Sequence, residues 1–169
     1  IEPKAAFGTG HHATTALCLD AISLLAAEGK LQKGMRFLDL GTGSGILAIA
    51  CTKLGLAGDG LDIDAAAVDN SMENRDKNDV PAADFSVRRG SVEETSGPYD
   101  VVLANILAGP LKDMAPQIAA LGFPDKKPLL VLSGILDIQA GDVEKVYREQ
   151  GFAPARRLDK GEWVALIFE

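Results

Sequence analysis

The chain has 169 residues, of which 24% are charged, and its net charge is −7; this length is enough for one α/β domain with a hydrophobic core. The acidic balance argues against an extended nucleic-acid groove, which needs a basic face. The sequence contains no apolar run of the roughly 20 residues that span a membrane and no visible signal peptide. We therefore expect a cytoplasmic protein that contacts neither a membrane nor nucleic acid directly.

Strand-like and helix-like segments alternate along the chain, which predicts a mostly parallel sheet covered by helices on both faces. The predicted helices span residues 13–27, 45–54, 65–78, 110–121 and 138–150. The predicted strands span residues 36–40, 57–62, 84–88, 99–104, 127–133, 152–158 and 162–168. A turn at Asp159-Lys160-Gly161 joins the last two strands into an antiparallel hairpin. We see no second domain in residues 1–169.

A glycine-rich loop follows the first predicted strand, in the segment FLDLGTGSGILAIA from Phe37 to Ala50. Its glycines allow tight turns and close approach of a ligand to the backbone, and the next helix points its positive end at this loop. The acid before the glycines suits a ligand with an ammonium group better than a pyrophosphate. The spacing is G-x-G-x-G, whereas dinucleotide enzymes use G-x-G-x-x-G. S-adenosylmethionine is thus the expected ligand, and the alternative is a purely structural strand-turn-helix. The predicted contacts of this loop are Asp39, Gly41, Thr42, Gly43 and Gly45.

The second predicted strand ends in Asp62, which lies 21 positions after Gly41. An acidic side chain at about this offset binds ribose hydroxyls in Rossmann-type units, so we expect Asp62 to bind the ribose. Asp64 competes for the role, but it suits the N-cap of the next helix better. Ile63 would lie flat against the adenine. The alternatives are a solvated loop carboxylate for Asp62 and an ordinary core residue for Ile63.

Two further strand ends carry small or polar residues that point to the same crevice. Gly90 and Ser91 follow the third strand, and Asn105 follows the fourth. In a doubly wound sheet, ligands bind outside the carboxyl ends of the strands. The carbonyl oxygen of Asn105 can accept a hydrogen bond from an attacking amine, which would align the nitrogen lone pair with a transferred methyl group. The alternative is a turn-forming asparagine before a helix.

The opening segment from Phe7 to Thr15 holds two glycines and can form a tight loop. Thr14 or Thr15 can cap the following helix or contact a ligand. His11 and His12 invite a metal interpretation, but adjacent histidines point in different directions and no Cys/His cluster accompanies them. We therefore expect no metal site.

Both cysteines, Cys18 and Cys51, lie in apolar, helix-like surroundings. This context favours buried free thiols over a disulfide or a metal site.

Several segments together resemble bacterial PrmA, the lysine methyltransferase family of a large-subunit ribosomal protein. These segments are AFGTGHHATTALCL from Ala6, LDLGTGSGILAIA from Leu38, GLDIDAAAV from Gly60, ANILAGPL from Ala104 and LSGIL from Leu132, with the pair Glu162–Trp163. The resemblance covers nearly the whole chain. It implies a class I, Rossmann-like, S-adenosylmethionine-dependent methyltransferase with a seven-stranded, mostly parallel sheet ending in an antiparallel hairpin.

The resemblance also implies roles for individual residues. Thr15, Gly41, Asp62 and Asn105 would contact the cofactor, while Phe7 and Thr14 would belong to a loop over its methionine end. The implied reaction is N-methylation of lysine ε-amino groups, α-amino groups or both in a large-subunit ribosomal protein, with S-adenosylhomocysteine as product.

One departure from the family concerns substrate recognition. Family members carry a separate N-terminal module that docks the ribosomal protein, and we expect residues 1–169 not to include it. We therefore expect a catalytic domain alone.

Other interpretations of the function stay open: a methyltransferase for a small molecule or RNA, or a catalytically silent adenosylmethionine-binding module. The sequence does not predict the oligomeric state.

Overall fold

The computed structural model describes residues 12–169, which form one seven-stranded sheet with helices on both faces. The strands are β1 (Arg36–Leu40), β2 (Ala57–Asp62), β3 (Phe85–Arg89), β4 (Val101–Asn105), β5 (Leu129–Leu136), β6 (Arg156–Lys160) and β7 (Trp163–Phe168). The helices are α1 (Ala13–Ala27), α2 (Ile46–Lys53), α3 (Ala65–Lys77), α4 (Ala108–Asp113), α5 (Ala115–Ala119) and α6 (Asp137–Glu149), with a short 3₁₀ helix at Val92–Glu94.

The strand order is β3-β2-β1-β4-β5-β7-β6. Strands β1 to β5 are parallel, and β7 runs antiparallel to both β5 and β6. The order reverses between β1 and β4, and a crevice forms at such a switch point beyond the carboxyl ends of the strands. The predicted fold class, a mostly parallel sheet ending in an antiparallel hairpin, is confirmed.

Two hydrophobic clusters lie on opposite faces of the sheet. Successive side chains of a strand point to opposite faces, so Phe37 belongs to one cluster and Leu38 to the other. Helices α1, α2 and α3 contribute to the first cluster, and α4, α5 and α6 to the second. Cys18 and Cys51 are both buried free thiols in the first cluster, as predicted.

The predicted helix over residues 110–121 is wrong in detail, because two short helices, α4 and α5, occupy this region. Pro116 has no backbone N–H to donate to the carbonyl of Lys112, so the continuous helical hydrogen-bond pattern is interrupted. Helix α4 also begins earlier than predicted, at Ala108. Pro110 therefore lies within its first turn, where a missing N–H costs nothing.

The last strands differ from the prediction at their ends. Strand β5 continues to Leu136 through an irregularity in its pairing with β7 between Leu132 and Ile135. The intervening Gly134 has a φ of +84°, a conformation that favours glycine. Strand β6 runs to Lys160, so the hairpin turn lies at residues 161–162 instead of 159–161.

Candidate functional site

A cleft of about 690 Å³ lies at the carboxyl ends of the central strands. Its described lining residues are His12, Leu40, Gly41, Gly43, Asp62, Ile63, Asp64, Ala67, Gly90, Ser91, Asn105, Ile106, Leu107, Pro110, Met114, Gly134 and Trp163. A groove of about 770 Å³ occurs elsewhere, between residues 96–98 and 119–127. That groove lies at the amino ends of the strands and contains none of the predicted site residues.

The glycine loop is held in place by the backbone of β2. The N–H groups of Gly41 and Thr42 both donate to the carbonyl of Leu61, at 2.8 and 2.9 Å. Gly45 has a φ of +82° and is the N-cap of α2, so this helix begins at Ile46, one residue after its predicted start. A Cβ atom at Gly41 would lie 2.6 Å from a methyl carbon of Ile106. The loop and the segment after β4 therefore approach each other more closely than a side chain permits.

Helix α3 supports the same loop with two buried polar side chains. The Ser71 hydroxyl donates to the carbonyl of Gly43 at 2.7 Å, and the Asn74 amide donates to the carbonyl of Ser44 at 2.8 Å. Neither residue was predicted from the sequence. Their spacing of three places them on one helix face, but only the fold shows that this face meets the loop.

Asp62 presents its carboxylate to the cleft in a fixed orientation. One oxygen accepts a hydrogen bond from the N–H of Gly43 at 2.9 Å, and the other accepts from the N–H of Asp64 at 3.0 Å. An ionised carboxylate has about four acceptor positions, so both oxygens retain capacity for a ligand. The Asp64 carboxylate accepts from the N–H of Ala66 at 2.9 Å, which confirms its predicted role as the N-cap of α3.

Ile63 and Ser91 also line the cleft. The side chain of Ile63 is 72% exposed, which excludes the alternative of an ordinary core residue. Ser91 precedes the 3₁₀ helix, and its N–H donates to the Glu94 carboxylate at 2.6 Å. Its hydroxyl lies 3.9 Å from the sulfur of Met114. An apolar surface and a hydroxyl are thus available in the cleft that Asp62 also lines.

Asp39 lies beneath the glycine loop, of which Thr42 is a part, and neither of these predicted ligand contacts is among the lining residues of the cleft. Only 1% of Asp39 is exposed, and its carboxylate accepts a 2.8 Å hydrogen bond from the Thr42 hydroxyl. Burial, with a smaller effect from the nearby Asp62 carboxylate, raises the pKa of Asp39 to about 7.

Asn105 lines the cleft at the end of β4. Its amide nitrogen donates to the hydroxyl of Thr15 at 3.4 Å. Its carbonyl oxygen is buried and has no hydrogen-bond partner among residues 12–169. Buried polar atoms are nearly always hydrogen-bonded, so this oxygen is a candidate ligand-binding atom.

The predicted residues near the start of α1 occupy different positions from those expected. The N-cap is His12, whose ring accepts from the N–H of Thr14 at 3.2 Å. The capping role predicted for Thr14 or Thr15 is therefore wrong, because both lie inside the first turn and are fully buried. Phe7, His11 and the rest of the predicted opening loop lie outside the described residues.

His12 and Trp163 form a part of the cleft wall that was not predicted from the sequence. Their ring centroids are 5.3 Å apart at an interplanar angle of 64°, an edge-to-face arrangement typical of aromatic pairs. Trp163 begins β7, far from α1 in sequence, so only the fold brings the two rings together.

Within the described part of the chain, no group of His, Cys, Asp and Glu side chains is arranged to hold a metal ion. The helices described there include none long and apolar enough to cross a membrane.

Comparison with known proteins relates the chain that forms this cleft to a family. The family described as ribosomal protein L11 methyltransferase (PrmA) matches residues 1–169. The chain belongs to this family. A ribosomal protein L11 methyltransferase from Myxococcus xanthus is 43% identical over 167 residues, which are 98% of this chain and 55% of the relative. The chain thus spans about half the length of the curated relatives that it matches.

Solved structures of similar proteins agree with this family and fold. A ribosomal protein L11 methylase from Lactobacillus delbrueckii subsp. bulgaricus superposes with a TM-score of 0.85 at 32% identity, covering 100% of this chain and 83% of that one. Magnesium protoporphyrin IX methyltransferase from Synechocystis, solved with bound SAM, shares the fold at a TM-score of 0.70 and 20% identity, over 89% and 76% of the two chains.

Proposed function

We propose that this chain is the catalytic domain of an S-adenosylmethionine-dependent N-methyltransferase that modifies lysine ε-amino groups, α-amino groups or both in ribosomal protein L11. The observation that carries this proposal is the free carbonyl oxygen of Asn105, in the same cleft as the fixed carboxylate of Asp62. The substrate in this proposal is taken from the relatives, which are ribosomal protein L11 methyltransferases.

The chemistry of the cleft suits S-adenosylmethionine. The described lining residues include two carboxylates, Asp62 and Asp64, and neither lysine nor arginine. This charge favours a nucleoside with a cationic tail over a dinucleotide with an anionic pyrophosphate. Asp62 would accept hydrogen bonds from the ribose hydroxyls, and the exposed side chain of Ile63 would cover the adenine. A methyltransferase of the same fold has been solved with bound SAM.

The protein would act mainly by positioning the amine. When bound, S-adenosylmethionine supplies a methyl group on a sulfonium, and the sulfur keeps the bonding electron pair to give the neutral thioether S-adenosylhomocysteine. Asn105 would accept a hydrogen bond from the substrate N–H and direct the nitrogen lone pair at the methyl carbon. Such orientation can contribute roughly 7–11 kcal/mol.

The substrate amine must enter the cleft without its proton, because an ammonium has no lone pair. A free lysine has a pKa of about 10.4. The cleft wall beside Asn105 includes Ile106, Leu107 and Met114, and apolar surroundings lower the pKa of an amine. Water can take the proton before the methyl transfer, so this scheme uses no dedicated base.

The proposed cofactor site is tested by replacing Asp62. Two hydrogen bonds to a charged acceptor contribute on the order of 1.5–3 kcal/mol each, so Asp62→Ala should weaken adenosylmethionine binding at least about tenfold by calorimetry. Asp62→Asn keeps an acceptor for the Gly43 N–H and separates the ligand contact from the support of the loop. Asp69→Ala, an exposed acid on α3, is the charge-matched control. Unchanged affinity in a folded Asp62→Ala variant would remove the assignment.

The proposed reaction is tested by replacing Asn105 and by identifying the product. Incubation of L11 and lysine peptides with isotope-labelled adenosylmethionine, followed by mass spectrometry, should show methylated amines. Asn105→Ala should lower the single-turnover rate more than the cofactor affinity, because the lost contact is to the amine. If affinity falls while the rate of the bound state stays the same, Asn105 only binds cofactor. Labelling of RNA or small molecules without labelling of protein would overturn the substrate assignment.

A further inference from the structure

The most exposed large apolar side chains of the described residues lie at the edge of the sheet that carries the cleft. They are Ile63, Leu107 and Ile138, which are 72%, 70% and 87% exposed. Under the proposed function Ile63 covers the adenine. Leu107 and Ile138 have no such ligand, although single-residue exposure of this degree is unfavourable for large apolar groups.

Leu107 and Ile138 lie close together because they stand at the starts of two helices that pack on each other. Leu107 is the N-cap of α4 and Ile138 is the second residue of α6, so both follow adjacent strands, β4 and β5. The Tyr147 hydroxyl of α6 donates to the Leu111 carbonyl of α4 at 2.7 Å. The axes of packed helices are about 8–10 Å apart, so the two side chains form one apolar surface, the Leu107–Ile138 rim.

The rim adjoins the cleft at both of its ends. Leu107 lines the cleft and follows Asn105 by two residues. At the start of α6, the Asp137 N–H donates to the Glu162 carbonyl at 2.8 Å, next to Trp163 of the cleft wall. A polypeptide that brings an amine to the Asn105 oxygen would therefore lie against the rim.

We propose that the Leu107–Ile138 rim binds the polypeptide segment that carries the amine to be methylated, through an apolar side chain near that amine in a basic segment. This proposal rests on the proposed methyltransferase function and adds a surface that selects among amines. The rim acts on the residues beside the amine, whereas the docking module expected from the family resemblance acts on the rest of the ribosomal protein.

Charge and area favour this occupant over a second copy of the chain. The described lining residues of the adjoining cleft include two carboxylates, Asp62 and Asp64, and neither lysine nor arginine, which suits a basic segment. A second copy would carry the same net charge of −7. A stable interface also needs about 800 Å² from each partner, far more than two side chains expose.

The spacing of an extended segment fits the rim. Side chains two residues apart in such a segment share one face and lie about 7 Å apart. One apolar side chain can therefore reach the rim while the neighbouring lysine enters the cleft.

The proposal is tested at Ile138, which is outside the cleft lining and almost fully exposed. The substrate is a basic peptide with leucine two residues before and after its lysine. Ile138→Ser should lower kcat/KM on it about threefold to tenfold, mainly through KM, because part of an isoleucine is no longer buried. Cofactor affinity by calorimetry and kcat at saturating peptide should change by less than about twofold.

Two further variants control for the loss of an apolar side chain. Ile138→Leu should keep the KM of the unmodified protein, because leucine is also apolar. Leu54→Ser removes a partly exposed apolar side chain at the end of α2 and should leave KM unchanged. An unchanged KM for Ile138→Ser, or an equal rise for Leu54→Ser, would overturn the proposal.

A matched peptide with serine in place of both leucines completes a double-mutant cycle. Its KM for the unmodified protein should be raised, and Ile138→Ser should have little further effect on it, because the contact is already lost. An equal effect of Ile138→Ser on both peptides would contradict a direct contact.

Peptide binding is also measured without activity. In protein with ¹³C-labelled isoleucine methyl groups, the Ile138 signals are assigned by their absence in Ile138→Ser. With S-adenosylhomocysteine present, the leucine peptide should shift these signals and the serine peptide should shift them less. Unshifted signals would overturn the proposal. Shifted signals without methylation of any peptide would refute the proposed function but leave the rim as a peptide-binding surface.

Sedimentation velocity distinguishes the peptide from a second copy of the chain. The unmodified protein and Ile138→Ser should have the same oligomeric state. A dimer that Ile138→Ser dissociates would identify the rim as an interface between copies and would overturn the proposal.

Discussion

At the scale of single residues, the buried carboxyl group of Asp39, beneath the loop that borders the cleft, makes the stability of the fold depend on pH. Its carboxyl group is buried beneath that loop and bonded to the Thr42 hydroxyl. Burial raises the pKa of Asp39 to about 7, from an ordinary 3.8. Since the folded pKa exceeds the unfolded pKa, the folded state favours the protonated carboxyl. The resulting stability is complete below about pH 4 and is lost as the pH rises towards 7.

The first prediction follows because the pKa of Asp39 is higher in the folded than in the unfolded state. Asp39→Asn is neutral at every pH and keeps an oxygen that accepts from Thr42. Relative to the unmodified protein, its free energy of unfolding should therefore rise between pH 4 and pH 8, by up to roughly 4 kcal/mol. Urea denaturation of both proteins across this range measures the difference. A constant difference between Asp39→Asn and the unmodified protein across this pH range would contradict the raised pKa.

Site residues at strand ends were more predictable from the sequence than the residues that hold the site in place. Asp62, Ser91 and Asn105 each follow an apolar strand pattern, and parallel strands bring their carboxyl ends to one edge. Ser71 and Asn74 have no such signal, because their partners are backbone carbonyls in another element. Contacts of this kind arise from tertiary packing, which local pattern does not specify.

At the scale of elements, β2 has glycine at alternate positions, 58 and 60, which share one face of the sheet. A Cβ at Gly58 would lie 1.9 Å from the carbonyl oxygen of Phe37, and one at Gly60 would lie 2.6 Å from the ring of Phe85. Both glycines therefore make room for the packing between β2 and its neighbours.

The second prediction contrasts two glycine-to-alanine substitutions. Gly58→Ala should destabilise the fold by about 1–3 kcal/mol or more, because the backbone must shift to relieve the contact. Gly141→Ala is the matched control: Gly141 is exposed within α6, and a Cβ added there would meet nothing within 4 Å. That substitution should stabilise the helix by about 0.5–1 kcal/mol. Thermal and urea unfolding of both variants measure the two effects, and a stable Gly58→Ala protein would refute the packing argument.

The types of the helices and strands were predictable from the sequence, whereas some of their ends were not. Helix α1 and strands β1 and β2 have their predicted bounds, because glycines in turn conformations lie close to their ends: Gly29 after α1, Gly41 after β1 and Gly55 before β2. The continuation of β5 past Ser133 depends on the unusual backbone at Gly134 and on pairing with β7. A glycine in a strand pattern is compatible with either a bulge or a strand end, and only the partner strand decides between them.

At the scale of the whole molecule, the alternation of strands and helices predicted the layered fold, but not which residues meet across it. Helix α1 packs on the sheet face near β5 and β7, and this places Thr15 against Asn105 and His12 against Trp163. Both contacts join residues from opposite parts of the chain. The cleft is thus a product of the complete sheet, although its key strand ends are readable from sequence.

The last prediction concerns what this chain does without the rest of a longer relative. Its net charge of −7 would favour a basic protein substrate, but salt screens such an attraction beyond about 8–10 Å, so the charge alone would not place one lysine at the cleft. From the family resemblance we expect a separate docking module to supply that placement. Because the proposed cofactor cleft lies within the 169-residue chain, this chain should bind adenosylmethionine with an affinity close to that of a longer relative.

On intact L11, however, its kcat/KM should be roughly 100-fold below that of the intact Myxococcus xanthus relative, because a tethered docking module raises the effective concentration of the substrate. A short lysine peptide cannot use the docking module, so the two proteins should differ much less on it. Side-by-side assays with both substrates measure this contrast. Equal efficiency on intact L11 would show instead that the cleft and its rim recognise the ribosomal protein unaided.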